Sequence, residues 1–150
     1  MAVSSHVLAQ VAALLGREPR GLEAVAVAGP AGEPRVIRVA ALVDGKPFPT
    51  LFWLVDPDLV YRIDREEAEG LIARFQQRVD EDPALQQALR DDHLAYIAMR
   101  DQYMAPDTRR ELDTLGFVDV LARRGVGGIA DFTRIRCLHT WYASHLVQPN

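Results

Sequence analysis

Apolar and polar positions divide the chain into three successive textures. Val7, Leu8, Val11, Leu14 and Leu15 recur at helical spacing behind Ser4 and Ser5, which can cap a first turn, and Gly16 permits a left-handed exit. This spacing predicts a short amphipathic helix. The next stretch is rich in β-branched residues: residues 22–28 and 35–42 are apolar runs separated by Gly29-Pro-Ala-Gly-Glu-Pro34, the pattern of a hairpin. A second turn, Asp44-Gly-Lys-Pro-Phe-Pro49, leads into residues 50–55, an unbroken apolar run that Asp56-Pro57 ends. An unbroken run implies a strand covered on both faces, so this third strand is read as the most buried of the three.

From Pro57 onward helical signals take over. Asp64 fits an N-cap with Glu67 as its reciprocal partner three residues later, and the helix is expected to run to about Val79. Asp82-Pro83 starts another helix, because proline in the first turn loses no amide partner. Leu85, Leu89, Tyr96, Ile97 and Tyr103 then keep one face apolar to about Met104. Pro106-Asp107 opens a shorter helix ending near Gly116, residues 117–124 add a turn or two, and Gly125-Val-Gly-Gly128 reads as a flexible break. The closing segment is expected to be extended around residues 133–136 and helical through residues 141–146. Strands first and helices afterwards predict an α+β fold. It has a small antiparallel sheet of about three N-terminal strands, covered on one face and packed with an N-terminal helix and a helical C-terminal half. With 150 residues, a single domain over 1–150 is expected.

Charge narrows the functional classes. A net charge of -4 argues against broad nucleic-acid binding, which needs a basic surface to neutralise phosphates. Lys46 is the single lysine, so the basic residues are otherwise arginines, either from genomic bias or from a use for planar forked donors. Residues 1–15 have neither the basic start and small-residue cleavage pattern of a signal peptide nor a membrane-spanning apolar run. A lone cysteine forms no internal disulfide, and a cytoplasmic protein with no membrane association is expected. The oligomeric state is left open.

The chemistry concentrates near the end. Residues 134–145 hold the only cysteine, two of the four histidines and one of the two tryptophans. Thiolate and imidazole are preferred zinc ligands. Yet Cys137 and His145, eight residues apart, would lie roughly 12 Å apart along a helix and cannot share an ion there. If the segment is extended, Cys137 and His139 point to one side, and Asp56 or His93 can complete a set, making zinc the alternative cofactor. Cys137 beside His139 or His93, with Arg136 next to it, also fits an activated nucleophile, while a buried inert thiol is the plainer reading. His93, Tyr96 and Arg100 fall at i, i+3 and i+7 on one helix face. Facing Arg136, Cys137 and His139, they would form a cationic pocket for a phosphate- or carboxylate-bearing ligand or an acidic partner segment, unless nearby acids pair with the arginines. The glycine run lacks the Lys-Ser/Thr ending of a phosphate-binding loop. Paired acids such as Asp91-Asp92 read as solvated helix faces.

Across nearly its whole length the chain resembles the bacterial domain-of-unknown-function family 501. The motifs that carry the resemblance are Leu15-Gly-Arg-x-Pro-Arg-Gly21, Gly32-Glu-Pro34, Asp44-Gly-Lys-Pro-Phe-Pro-Thr50 with Leu51-Phe-Trp-Leu54, Arg65-x-Glu-Ala-Glu-Gly70, Asp82-Pro83, Asp92-His93 with Tyr96 and Arg100, Gly127-Gly128 and Arg136-Cys-Leu-His139. The resemblance implies a small cytoplasmic bacterial protein encoded near genes for cell division and polyphosphate metabolism. It assigns no activity. Where relatives often carry Arg-Cys-Pro this chain has Ala28-Gly29-Pro30, and where some carry cysteine before proline it has Asp56-Pro57. A cysteine cluster of that kind is therefore not expected here. The leading expectation is a binding or accessory protein with an anion pocket of His93, Tyr96, Arg100, Arg136, Cys137 and His139. The alternatives are a metal- or Cys/His-dependent centre on Cys137, His139, His93 and Asp56, and a purely structural packing element in an interaction module.

Overall fold

The computed structural model describes residues 3–150, so the very start of the stretch read for a leader lies outside the described residues. Helix α1 (Ser5–Leu15) is capped by the Ser4 hydroxyl, which accepts from the Val7 amide, and ends at Gly16 in the left-handed region. Strands β1 (Leu22–Ala28), β2 (Pro34–Val39) and β5 (Phe52–Leu54) form an antiparallel sheet in the order β1-β2-β5. A separate two-stranded ribbon, β3 (Leu42–Val43) with β4 (Lys46–Pro47), carries the Asp44-Gly45 turn between them. The helical half comprises α2 (Pro57–Ala68), α3 (Leu71–Glu81), α4 (Pro83–Tyr103), α5 (Pro106–Leu115), α6 (Val118–Ala122) and α7 (Leu138–Val147). The α+β class and its order of elements are those the hydrophobic pattern predicts.

Several local expectations are corrected. The central and most buried strand is β2 and not the third, because β2 pairs on both edges, Val27↔Val36 on one side and Val36↔Leu54 on the other. The sheet is covered on both faces. On one, Val36 and Phe52 pack with Tyr96, Val126, Ala143 and Trp141; on the other, Ile37, Val39 and Val55 pack with Val7, Val11 and Leu15 of α1. Phe48 and Trp53, stacked at 5.5 Å, join that second cluster. Burying each such apolar side chain contributes about 1.5–3 kcal/mol.

Asp64 does not cap a helix. The cap of α2 is Asp56, whose Oδ1 accepts from the Asp58 and Leu59 amides, and Asp64 lies within the helix. The Asp56-Pro57 pair starts the helix for the same reason as Asp82-Pro83, where Asp82 accepts from Ala84 and Leu85. Nor does one helix run to Val79: Gly70 adopts a left-handed φ of 88°, which ends α2 and lets α3 leave in a new direction.

Helix α4 organises the interior. Its His93, Tyr96 and Arg100 are 0%, 2% and 1% exposed, and each is committed to backbone groups of a loop. Tyr96 Oη accepts from the Leu51 and Phe52 amides at 2.6 and 3.3 Å. Arg100 donates to three carbonyls: Pro49 through Nε (3.1 Å) and Nη2 (2.7 Å), Leu121 through Nη1 (2.8 Å) and Arg124 through Nη2 (2.7 Å). The imidazole of His93 accepts at Nδ1 from the Val126 amide at 3.0 Å. It is held between the Phe132 ring, stacked at 4.6 Å, and the edge of Trp141 at 5.0 Å. The Gly125–Gly128 stretch is consequently no flexible break. Residues Val126–Gly128 form a 3₁₀ turn with Val126 buried. A Cβ on Gly125 would stand 2.2 Å from His93 Nδ1, so only glycine lets the loop approach the ring.

Two measurements test this interior. Arg100→Leu leaves the Pro49, Leu121 and Arg124 carbonyls without their donor, and urea denaturation should show a loss of about 3–5 kcal/mol. Arg109→Leu, which removes an exposed pair with Asp101, should cost less than about 1 kcal/mol. Burial pushes the His93 imidazole down from 6.5 to about 4, with Asp131 opposing the shift. The unfolded chain therefore takes up a proton near pH 6.5 that the folded chain refuses until about pH 4. The stability from neutral His93 is complete above pH 6.5 and is lost as pH falls toward 4, by about 3 kcal/mol in all. Subtracting the pH–stability curve of His93→Gln from that of the parent should isolate this slope; a flat difference would refute it.

Candidate functional site

The residues singled out in the sequence separate into two neighbourhoods. His93, Tyr96 and Arg100 are in the interior, their polar atoms directed at loop backbone as described. They do not form one pocket with Cys137 and His139. The physical reason is that the inward face of α4 meets the loops after residues 48 and 121, and every guanidinium nitrogen of Arg100 already has a carbonyl. One atom, His93 Nε2, is buried without a partner. Asp56 is elsewhere again, capping α2 and pairing with Arg35 at 3.4 Å. Arg136 is exposed and has no carboxylate partner among the described residues.

Cys137 and His139 meet two acids of α2 instead. Asp64 and Glu67, three residues apart, project from one face of that helix toward the start of α7. His139 Nε2 lies 2.7 Å from Asp64 Oδ1 and its Nδ1 lies 3.0 Å from Glu67 Oε1. Cys137 Sγ is 3.6 Å from the same Nδ1. Glu67, Cys137 and His139 each offer one ligand atom, and these atoms all lie within 4.8 Å of one another. All three residues are partly buried, while the Asp64 side chain is more open.

Local structure explains how the cluster is delivered. Cys137 is the N-cap residue of α7 with extended backbone (φ -150°, ψ 120°), and the helix already begins at Leu138, so the expected extended run through His139 is corrected: the two side chains meet across the helix start, one from the cap and one from the first turn. The segment before it is held by Gln76 of α3, whose Nε2 donates to the Thr133 carbonyl at 2.8 Å and whose Oε1 accepts from the Ile135 amide at 2.9 Å. Asp131 fixes the preceding turn through the Thr133 amide and hydroxyl. Glu67 Oε2 also accepts from the Leu138 amide at 3.3 Å, placing a carboxylate at the positive end of α7. Thr140 closes the first turn by donating to the Cys137 carbonyl.

Two carboxylates thus converge on the two nitrogens of one imidazole. If Nε2 carries its hydrogen toward Asp64, Nδ1 presents a lone pair to a Glu67 oxygen only 3.0 Å away. Two acceptors at that distance need a proton or a cation between them. Donors about 2.0–2.3 Å from a tetrahedral ion stand roughly 3.3–3.6 Å from one another, close to the spacing seen here. The Asp64–His139 contact matches the carboxylate that commonly orients a metal-bound imidazole through its other nitrogen.

Sequence reasoning did not select Glu67 or Asp64 for the site. Their separation of three invited a capping box, and the signal that was available was one acidic helix face with no cap to serve. His145, the fourth histidine, is separate: its Nδ1 accepts from the Asn150 amide and its ring stacks on Tyr142.

Neither the curated proteins nor the solved structures give a match to the chain. A family comparison does, over residues 25–150, with the family described as Protein of unknown function (DUF501). That span begins within β1 and includes Asp64, Glu67, Cys137 and His139 while leaving α1 outside. On a match covering the sheet and the whole helical half, the chain belongs to the DUF501 family.

Proposed function

We propose that the protein binds a zinc-class divalent cation through Glu67, Cys137 and His139, with Asp64 orienting the imidazole. The observation that carries this reading is the convergence of a carboxylate, a thiol and an imidazole within 4.8 Å. Three protein ligands leave a fourth tetrahedral position for water or a substrate, the arrangement of zinc sites that polarise a bound group. The ion would act there as a Lewis acid. The chain's own contribution is to hold the ligands. Gln76 positions the segment before Cys137, the helix start holds Glu67, and Asp64 keeps His139 turned so that Nδ1 faces inward.

A small anionic ligand or an acidic partner segment fits this place less well. Asp64 and Glu67 set two negative groups around His139, and the buried guanidinium of Arg100 is already saturated by carbonyls, which leaves exposed Arg136 as the available donor. The proposal assumes a reducing, cytoplasmic setting, in which a lone thiol stays available as a ligand. No helix of the described residues is long and apolar enough to cross a membrane.

Elemental analysis of untagged protein should give about one equivalent of metal per chain. Replacing bound metal with Co²⁺ should produce a near-ultraviolet thiolate charge-transfer band. Cys137→Ser, His139→Ala and Glu67→Gln should each abolish the stoichiometric ion, and Asp64→Asn should weaken affinity by about 10–100-fold. Protein that is metal-free and takes up neither Zn²⁺ nor Co²⁺ at micromolar concentration would leave the cluster as a proton-bridged packing clasp. In that case His139→Ala should lower stability without any metal effect.

A further inference from the structure

We propose a second binding site, independent of the metal centre, that takes a free carboxylate with a linear or branched hydrocarbon body, seated between α3, α4 and α7 with its head at Arg78. Two adjoining hollows lie there. One of about 310 Å³ has Val79, Leu85, Leu89 and Ile135 among its walls. The other, of about 430 Å³, continues toward Ile63 and Leu71 of α2 and α3. Phe75, Leu138 and Trp141 line both, so the two form one apolar trough. Each hollow reaches the size range of sites for small ligands, which are mostly apolar with a few polar groups that fix orientation.

Three polar side chains line the first hollow, Arg78, Asp92 and the uncharged Asn150, and the two charged ones set the chemistry of the head group. Arg78, in the last turn of α3, lines it and has no carboxylate partner among the described residues. Its forked guanidinium matches a carboxylate in bidentate fashion. Asp92 of α4 lines the same hollow without pairing to Arg78, and burial, then neighbouring Asp91, pushes its carboxyl above the usual range. The acid that would compete for Arg78 is thus held in a setting that disfavours its charge. Glu66 and His145 line the far hollow, so the unpaired cation is at the Arg78 end, where it complements an anionic head on a hydrocarbon tail; an uncharged or cationic head leaves Arg78 unmatched.

Calorimetric titration of the full chain with octanoate, octanol and octylamine, all below micelle-forming concentrations, tests the assignment. Octanoate should bind saturably and about tenfold tighter than octanol, with octylamine weakest. Shortening to hexanoate should weaken binding roughly tenfold or more, since each methylene is worth about fourfold. Arg78→Gln, at an exposed position, should erase the preference for octanoate over octanol while leaving the melting temperature and octanol binding unchanged. Leu85→Trp, which fills the trough, should weaken acid and alcohol alike. Cys137→Ser should leave all three affinities unchanged, which separates this site from a carboxylate bound to a metal ion. Absence of saturable octanoate binding, equal affinity for octylamine, or a preference that survives Arg78→Gln would each overturn the proposal.

Discussion

The fold depends on the way one helix supplies polar partners to loops that the sheet and the short helices leave without them. His93, Tyr96 and Arg100 lie at i, i+3 and i+7 on the inward face of α4 and serve the amide of Val126, the amides of Leu51 and Phe52, and the carbonyls of Pro49, Leu121 and Arg124. Buried backbone groups without partners cost about 1–3 kcal/mol each, so these contacts decide where the loops can settle. The strand-leading turn, the end of α6 and the glycine turn are all fixed to the same helix face. Aromatic packing reinforces the arrangement, with Phe52 edge-on to Tyr96 and His93 between Phe132 and Trp141.

That interior frame positions α7, and α7 has different chemistry along its length. Ala143 and Trp141 belong to the core under the sheet. The helix start carries Cys137 and His139 to the acids of α2, where carboxylate, thiol and imidazole meet. Leu138, between those two residues, turns instead into the apolar trough beside α3. The first turn of α7 thus sorts neighbouring residues into a polar cluster on one side and an apolar hollow on the other.

Electrostatics distinguishes the two sites. Around His139 two carboxylates stand close to one imidazole, the arrangement on which the proposed cation site rests. In the trough partial burial raises the Asp92 carboxyl and Arg78 stands without a carboxylate partner among the described residues, the setting on which the proposed carboxylate site rests. Both lie within the span that matches the DUF501 family.

Periodicity and punctuation carried much of the architecture. The α1 repeat with Ser4 and Gly16, the Asp82-Pro83 start and the Pro106 start with its Gly116 stop are local signals, read by the chain wherever it lies. They suffice for the α+β class and for the shared face of His93, Tyr96 and Arg100, whereas the extended run expected through His139 gives way to a helix from Leu138. What each face meets was not local. Asp64 and Glu67 have the spacing of a capping box, yet Asp56-Pro57 starts the helix about two turns earlier, which frees both acids for α7. His93 and Arg100 have the side chains of a binding site and became the fastenings of the interior, because the partners that claimed them are backbone groups more than twenty residues away. Sequence by itself determined the elements and the residues sharing a side of each; only the tertiary structure decided that Glu67 would face Cys137 and His139, since that depends on how α2 and α7 pack and on no periodicity within either helix.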